Sequence, residues 1–320
     1  MLAILGAVLL ALLPVERVSA QGYPAKPVRM ILPFPAGGPN DIFARVLAQK
    51  LSASFGQQVV VDNRGGASGI IGAELAARAA PDGYTLLFGG AGTLSINPSL
   101  YTKLPYDALK DFAPVSLVAT TPFLLVTHPS LPVKTVHDLI ALARTKPGQL
   151  NFASAGNSGP PRLAAELFMS MTGVNMVHVP YNGGGPAIAA TIAGEVHLYF
   201  SGIALALPLA RDGKLRGIAV TSAKRTAAVP EFPTIAESGV PGYEIGSWFA
   251  VVAPAATPMP VIARLNAGIV TAIGAADVRK RFIDLAADSI GSTPDELASY
   301  NRSEILKWAK VIKAAGIKPD

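Results

Sequence analysis

Residues able to hold an anion stand out more clearly than residues able to break a bond. Gly37 and Gly38 follow an apolar run, Val28 to Leu32, and precede a segment from Asp41 to Phe55 with helical spacing. Neither glycine has a Cβ, so the backbone can come close to a ligand there. Pro39 suits the first position of a helix, where a missing N–H costs nothing. The free N–H groups of that first turn, from Ala36 to Asn40, attract anions, and Phe34 leads into them. Asp41 sits in the same turn and already supplies a negative charge. An isolated Gly-Gly is commonly a plain tight turn. A second turn of the same kind shifts the balance: Ser154-Ala155-Gly156-Asn157-Ser158-Gly159 lies between a strand-like run and Pro160. Ser154, Asn157 and Ser158 offer side-chain donors, and the glycines offer open backbone. Ser158 can also serve as a helix N-cap, and cap and ligand contact are compatible. Arg162 reads as a surface cation near its own helix, with a direct clamp on a carboxylate as the alternative. Gly92 and Thr93, with Ser95, form a cleft-lining loop after the third strand. Tyr181 precedes Gly183-Gly184-Gly185, and Ser201 ends the next strand.

Enzyme signatures are missing. Gly90-Ala91-Gly92 lacks the third glycine of a dinucleotide fingerprint, and no Walker loop exists. Gly156-Asn157-Ser158-Gly159 is not a nucleophile elbow, because Pro160 stands where its last glycine should be. The four histidines, His128, His137, His178 and His197, show no metal spacing. His178 and His197 fall on strands and read as packing residues. No paired acids suited to general acid/base work lie in the glycine-rich loops. No catalytic residue, metal or cofactor is expected.

The elements that must position these loops alternate. Val28–Leu32, 59–62, 85–89, 150–154, 176–181, 196–201 and 215–221 read as strands. Residues 41–55, 71–80, Val136–Thr145, Pro160–Thr172 and 186–193 read as helices. Near-continuous apolar strands separated by helices argue for an α/β fold with parallel sheets covered on both faces. Two such series appear, one on each side of roughly residue 120. Residues 243–254 read as one more strand, and mostly helix follows. Thr293-Pro294-Asp295-Glu296 is a capping box with Pro at the first helical position.

Composition narrows the class. The chain has 320 residues, no cysteine and a formal charge of +6. Its length is too great for one small core and suits two lobes. Residues 1–20 read as a signal peptide, with an apolar stretch too short to span a bilayer and a small-residue cleavage site at Val18-Ser19-Ala20. Export without cysteine suits a bacterial periplasm and excludes a lipid-anchored cysteine. The basic residues are scattered, apart from Arg279-Lys280-Arg281, so there is no stripe for nucleic acid. The protein is expected to act as a soluble monomer.

One resemblance runs the length of the mature chain. Tyr23-Pro24-Ala25-Lys26-Pro27-Val28-Arg29, Pro33 to Gly38, Asp41 with Ala44-Arg45, Gly69-Ile70-Ile71-Gly72-Ala73 and Pro81-Asp82-Gly83-Tyr84 occur in order. So do Asn97-Pro98-Ser99-Leu100-Tyr101, Leu104-Pro105-Tyr106-Asp107, Asn151-Phe152-Ala153-Ser154-Ala155-Gly156, Val179-Pro180-Tyr181 and Ser247-Trp248-Phe249. The series resembles the Bug-type solute receptors of tripartite tricarboxylate transporters. The resemblance implies a two-lobed, hinged, doubly wound periplasmic binding protein. Its lobe 1 would comprise 21–122 and 247–320, and its lobe 2 123–246, with crossings near Thr120–Phe123 and Gly246–Phe249. It also implies a small carboxylate ligand and membrane transporter subunits as partners. The family often carries a histidine where Arg162 stands, and an aspartate where Ser201 stands. A neutral Ser201 argues against selection for an amino acid. An exported enzyme acting on a small acid, and a receptor serving a sensor, are the alternatives.

Overall fold

The computed structural model describes residues 22–34, 36–37, 39–156, 159–181, 183–226 and 228–317. The expected signal peptide lies outside the described residues, as do Gly38, Asn157 and Ser158.

The first unit comprises β1 (Val28–Leu32), α1 (Pro39–Phe55), β2 (Val59–Asn63), α2 (Ile70–Ala77) and β3 (Thr85–Gly90). β1 lies between β2 and β3 and is parallel to both. Val28, Met30, Ile31 and Leu32 are all fully buried, so the strand reads as an unbroken apolar run rather than an alternating one. α1 turns Phe43, Ala44, Leu47, Ala48 and Leu51 inward as one helical stripe. A wide helical turn, Gly92–Ile96, and α3 (Asn97–Leu100) then lead to β4 (Phe112–Thr127).

The second unit is α4 (Val136–Thr145), β5 (Asn151–Ser154), α5 (Pro160–Thr172), β6 (Val177–Pro180), α6 (Gly184–Ala193), β7 (Leu198–Gly202), α7 (Ile203–Arg211) and β8 (Arg216–Val220). Thr135 and Asp138 cap α4 reciprocally. β5 is parallel to β6 on one side and to β7 on the other.

One sheet joins the two units, in the order β2-β1-β3-β9-β4-β7-β5-β6, where β9 is Gly246–Pro254. β8 and β10 (Asp288–Ser289) add to β4. The expectation of parallel sheets therefore holds only in the outer parts. β9 is antiparallel to β3 and β4, and β4 is antiparallel to β7 and β8. β4 itself was not anticipated as a strand. Pro114 and Pro122 argue against a central strand, because proline cannot donate to the ladder. The fold accommodates both. The register shifts between Pro114 and Ser116, and Pro122 is the last residue paired with β9. From Phe123 onward β4 pairs with β7, and from Leu124 with β8.

The strand directions have a consequence for the loops. β3 runs with β4, whereas β5, β6 and β7 run against it. Gly90 of β3 is level with Phe249 of β9, which is opposite Ala119 of β4. Gly202 of β7 is opposite Phe123. The carboxyl ends of the two units thus advance toward each other and stop about 13 Å apart along β4.

The tail covers the sheet. α8 (Met259–Gly274) and α9 (Ala276–Asp284) close the core around Phe43, which stacks on Phe249 at 4.7 Å and meets Phe282 edge-on at 5.0 Å. α10 (Pro294–Ala315) starts at the expected capping box of Thr293 and Glu296. The Ser95 hydroxyl donates to Asn301 Oδ1 at 2.8 Å, and α10 also packs on α5, so this helix touches both units. Among the described residues, no single helix is long and apolar enough to cross a membrane.

Gly90 marks the tightest part of this arrangement, since a Cβ there would overlap the carbonyl oxygen of Trp248. Gly90→Ala is expected to lower stability by about 3 kcal/mol, because backbone on the facing strand cannot yield like a side chain. Urea unfolding measures this, and an unchanged midpoint would show slack in the sheet at its waist.

Candidate ligand-binding site

The first loop is held by one carboxylate. Gly37 has φ +82°, and a Cβ there would touch nothing within 4 Å, so the backbone conformation rather than crowding calls for glycine. Its N–H donates to Asp41 Oδ2 at 3.0 Å. Arg45 Nε donates to the same oxygen at 2.8 Å. Asn63 Nδ2, at the end of β2, donates to Asp41 Oδ1 at 3.0 Å and to the Phe34 carbonyl at 3.1 Å. Asp41 is buried, and the Arg45 hydrogen bond leads the effects that hold its pKa down at about 2. The negative charge noted in this turn is thus committed to the loop and offset by Arg45. Ala36 and Gly37 are exposed, while Phe34 and Asn40 are half-buried.

Other strand ends come to the same place. The rim of the Phe34 ring lies 4.0 Å from where a Cβ on Gly92 would stand. Gly69 and Gly72, at the start of α2, approach so closely that a Cβ on either would crowd Pro33, and one on Gly69 would also meet Thr93. Sequence reasoning met Arg45, Gly69 and Gly72 only as parts of motifs in the family resemblance, with no role assigned, and did not single out Asn63. Their roles depend on contacts between elements far apart in the chain. Thr93 and Ser95 are fully buried. The Thr93 hydroxyl sits against the backbone of Gly90, and that of Ser95 is bound to Asn301, so both act inside the fold. The expected loop around Gly92 and Thr93 is helical instead.

The second loop begins at Ser154, which is fully buried. Its Oγ is 2.6 Å from the Gly156 carbonyl oxygen and 2.6 Å from His178 Nε2. Ala155 and Gly156 are half-buried, and Gly156 has φ +126°. The N-cap of α5 is Gly159, not the expected Ser158, and no side chain caps it. α6 and α7 also start on glycines, Gly183 and Gly202, without a side-chain cap. First-turn N–H groups of α6 and α7 therefore face the waist of the sheet without a side-chain cap, whereas Pro160 and Pro161 give α5 no N–H at its first two positions and the Arg162 N–H donates to the Gly159 carbonyl at 3.0 Å. Tyr181 is half-buried and its N–H donates to the Ser154 carbonyl at 3.0 Å. Ser201 is fully buried, with its hydroxyl 3.3 Å from the Gly202 carbonyl.

The tripartite tricarboxylate transporter family receptor, as a family model, matches residues 43–317. The chain belongs to that family. BugT of Bordetella pertussis is 40% identical over 302 residues, covering 94% of this chain and 93% of that protein. The structure of R. palustris Rpa4515 with adipate is 39% identical, with a TM-score of 0.83 over 93% of this chain and 100% of that one. MatC (Rpa3494) from Rhodopseudomonas palustris with bound malate is 34% identical, with a TM-score of 0.78 over 91% of this chain and 100% of that one. The resemblance seen in the sequence and the two-lobed α/β binding-protein fold are both borne out.

In this receptor Arg162, expected at the surface, is largely covered. Its Nε lies 3.3 Å from Glu166 Oε1, with side chains 17% and 13% exposed. Burial pushes the Glu166 carboxyl pKa up despite the Arg162 hydrogen bond. Among the described residues no cluster of His, Asp and Glu is arranged for a metal.

Asp41 gives a pH-dependent prediction. Its folded pKa is depressed, so its contribution is complete above the unfolded value near 4 and is lost as pH falls through the folded value. Asp41→Asn should cost about 2 kcal/mol at pH 7. The gap between wild type and variant should narrow as pH falls below about 4. Urea unfolding from pH 7 to pH 3 checks both, and a gap that stays constant with pH would assign the effect to something other than the charge.

Proposed function

We propose that this receptor captures a small organic carboxylate, dicarboxylates foremost, in a cleft between its two lobes. Lobe 1 comprises 21–122 and 247–320, and lobe 2 comprises 123–246. The observation that carries the reading is the convergence of strand carboxyl ends at the middle of β4, which sets the Phe34–Asp41 and Ser154–Gly156 loops and the uncapped helix starts around one space. Backbone N–H groups of the Ala36–Asn40 and Ser154–Gly156 loops supply most of the donors, with Tyr181 and water completing the shell. The adipate and malate carried by the two related structures support the ligand class. Closure of the lobes buries the ligand and forms the face read by membrane subunits of a tripartite transporter. The chain works as a monomer in the periplasm after removal of its leader. It returns its ligand chemically unchanged, and no catalytic step is assigned.

A thermal-shift screen of mono-, di- and tricarboxylates tests this. A ligand at a hundredfold its Kd adds about 2.7 kcal/mol, which is a rise of roughly 5 °C in a chain of this size. The same ligand should reduce the radius of gyration in solution scattering and be recovered intact by mass spectrometry. Absence of stabilisation by every acid, or turnover abolished in a site variant, would overturn the reading.

A further inference from the structure

The contact between Ser154 and His178 has a direction. A serine hydroxyl carries one proton, and a carbonyl oxygen carries none. The 2.6 Å approach of Ser154 Oγ to the Gly156 carbonyl therefore requires that Ser154 donate to it. With its proton so used, Ser154 meets His178 Nε2 at 2.6 Å as an acceptor. Nε2 must then carry the imidazole proton. The chain of donors runs from His178 Nε2–H to the Ser154 hydroxyl and on to the Gly156 carbonyl.

The fold supports each link. His178 is opposite Phe152 in the pairing of β5 with β6, and Ser154 is opposite Pro180, so all four residues lie on one face. The ring of His178 lies over that of Phe152 at 5.1 Å between centroids. Ser154 has no exposure to water that could replace either partner. Gly156, at φ +126°, is in a backbone region that other residues rarely adopt, and the relay holds its carbonyl inward.

We propose that His178 is the positioning residue of the second ligand loop: through Ser154 it holds the Gly156 carbonyl oxygen inward, so that the loop does not turn an acceptor toward the anion. This rests on the reading that the Ser154–Gly156 loop lines the carboxylate site. It makes a histidine outside the loop a determinant of affinity.

Two measurements test it, with adipate as the probe. In calorimetric titrations, His178→Phe keeps a ring over Phe152 but has no donor, and its affinity should fall about tenfold. His178→Gln restores a donor and should recover most of that loss. Adding His178→Phe to Ser154→Ala should weaken binding by no more than about twofold further, since the relay is already cut. NMR of protein labelled with 15N-histidine should show His178 protonated on Nε2 without any ligand. A His178→Phe variant with wild-type affinity, fully additive losses, or a bare Nε2 in wild type that binds adipate would each overturn the relay alone. Wild-type protein that binds none of the carboxylates in the screen would overturn the functional reading, and the positioning role with it.

Discussion

β4 changes partners in mid-strand, and the rest of the molecule is arranged around that change. Were the whole sheet parallel, the carboxyl ends of both units would emerge along one edge, side by side. Insertion of β9 and β4 as antiparallel strands reverses the second unit relative to the first. The loops after β1 and β3 then meet those after β5, β6 and β7. The changeover itself needs careful hydrogen bonding. Pro122 has no N–H to offer at the point where β9 ends. Phe123, the next residue, donates to the Thr221 hydroxyl at 2.7 Å and accepts from the Thr221 N–H at 3.0 Å. One threonine thus stitches the sheet just past the residue that cannot contribute. Because the same strand pairs with β9 on the side of the first unit and with β7 of the second, it sets the distance between the two units.

The electrostatics follow from this geometry. Helix starts gathered at one place carry partial positive charge. A carboxylate side chain among them would compete with an anionic ligand. Asp41 is the one most exposed to that conflict by sequence, and the fold resolves it by spending both of its oxygens on Gly37, Asn63 and Arg45. In the second lobe, Arg162 and Glu166 hold each other under partial cover, and burial still raises the Glu166 pKa. That pair sits where desolvation outweighs attraction.

Much of this was legible in the sequence, for identifiable reasons. α4 and α5 match their expected bounds, and α10 starts at the capping box read from Thr293 to Glu296. The glycine-rich turns that follow apolar runs mark where helices begin. β4 was illegible because its two prolines are excused only by long-range context, one at a register shift and the other at a partner change. His178 looked like core, and its bond to Ser154 spans 24 residues of chain. The N-cap of α5 lies one residue further on than expected, at Gly159 rather than Ser158. What local pattern misses here is consistently a contact between distant elements.

Glycine serves two opposed purposes in this receptor, and the division is physical. At Gly37 and Gly156 there is open space around the missing Cβ and a positive φ. These residues let a loop take a shape, and their side is left empty. At Gly90 and Gly246 there is no positive φ, but the backbone of a facing strand occupies the place of the Cβ. These residues let strands close together at the waist. The first kind sits in the two loops proposed to line the ligand site, the second on the strands that hold the two units in register. The two kinds depend on each other, because loops shaped by glycine place donors accurately only if the sheet beneath them does not give. The Asp41 latch and the His178 chain of donors then do in each lobe what the close-packed glycines do between them, which is to remove freedom from a backbone that glycine alone would leave loose.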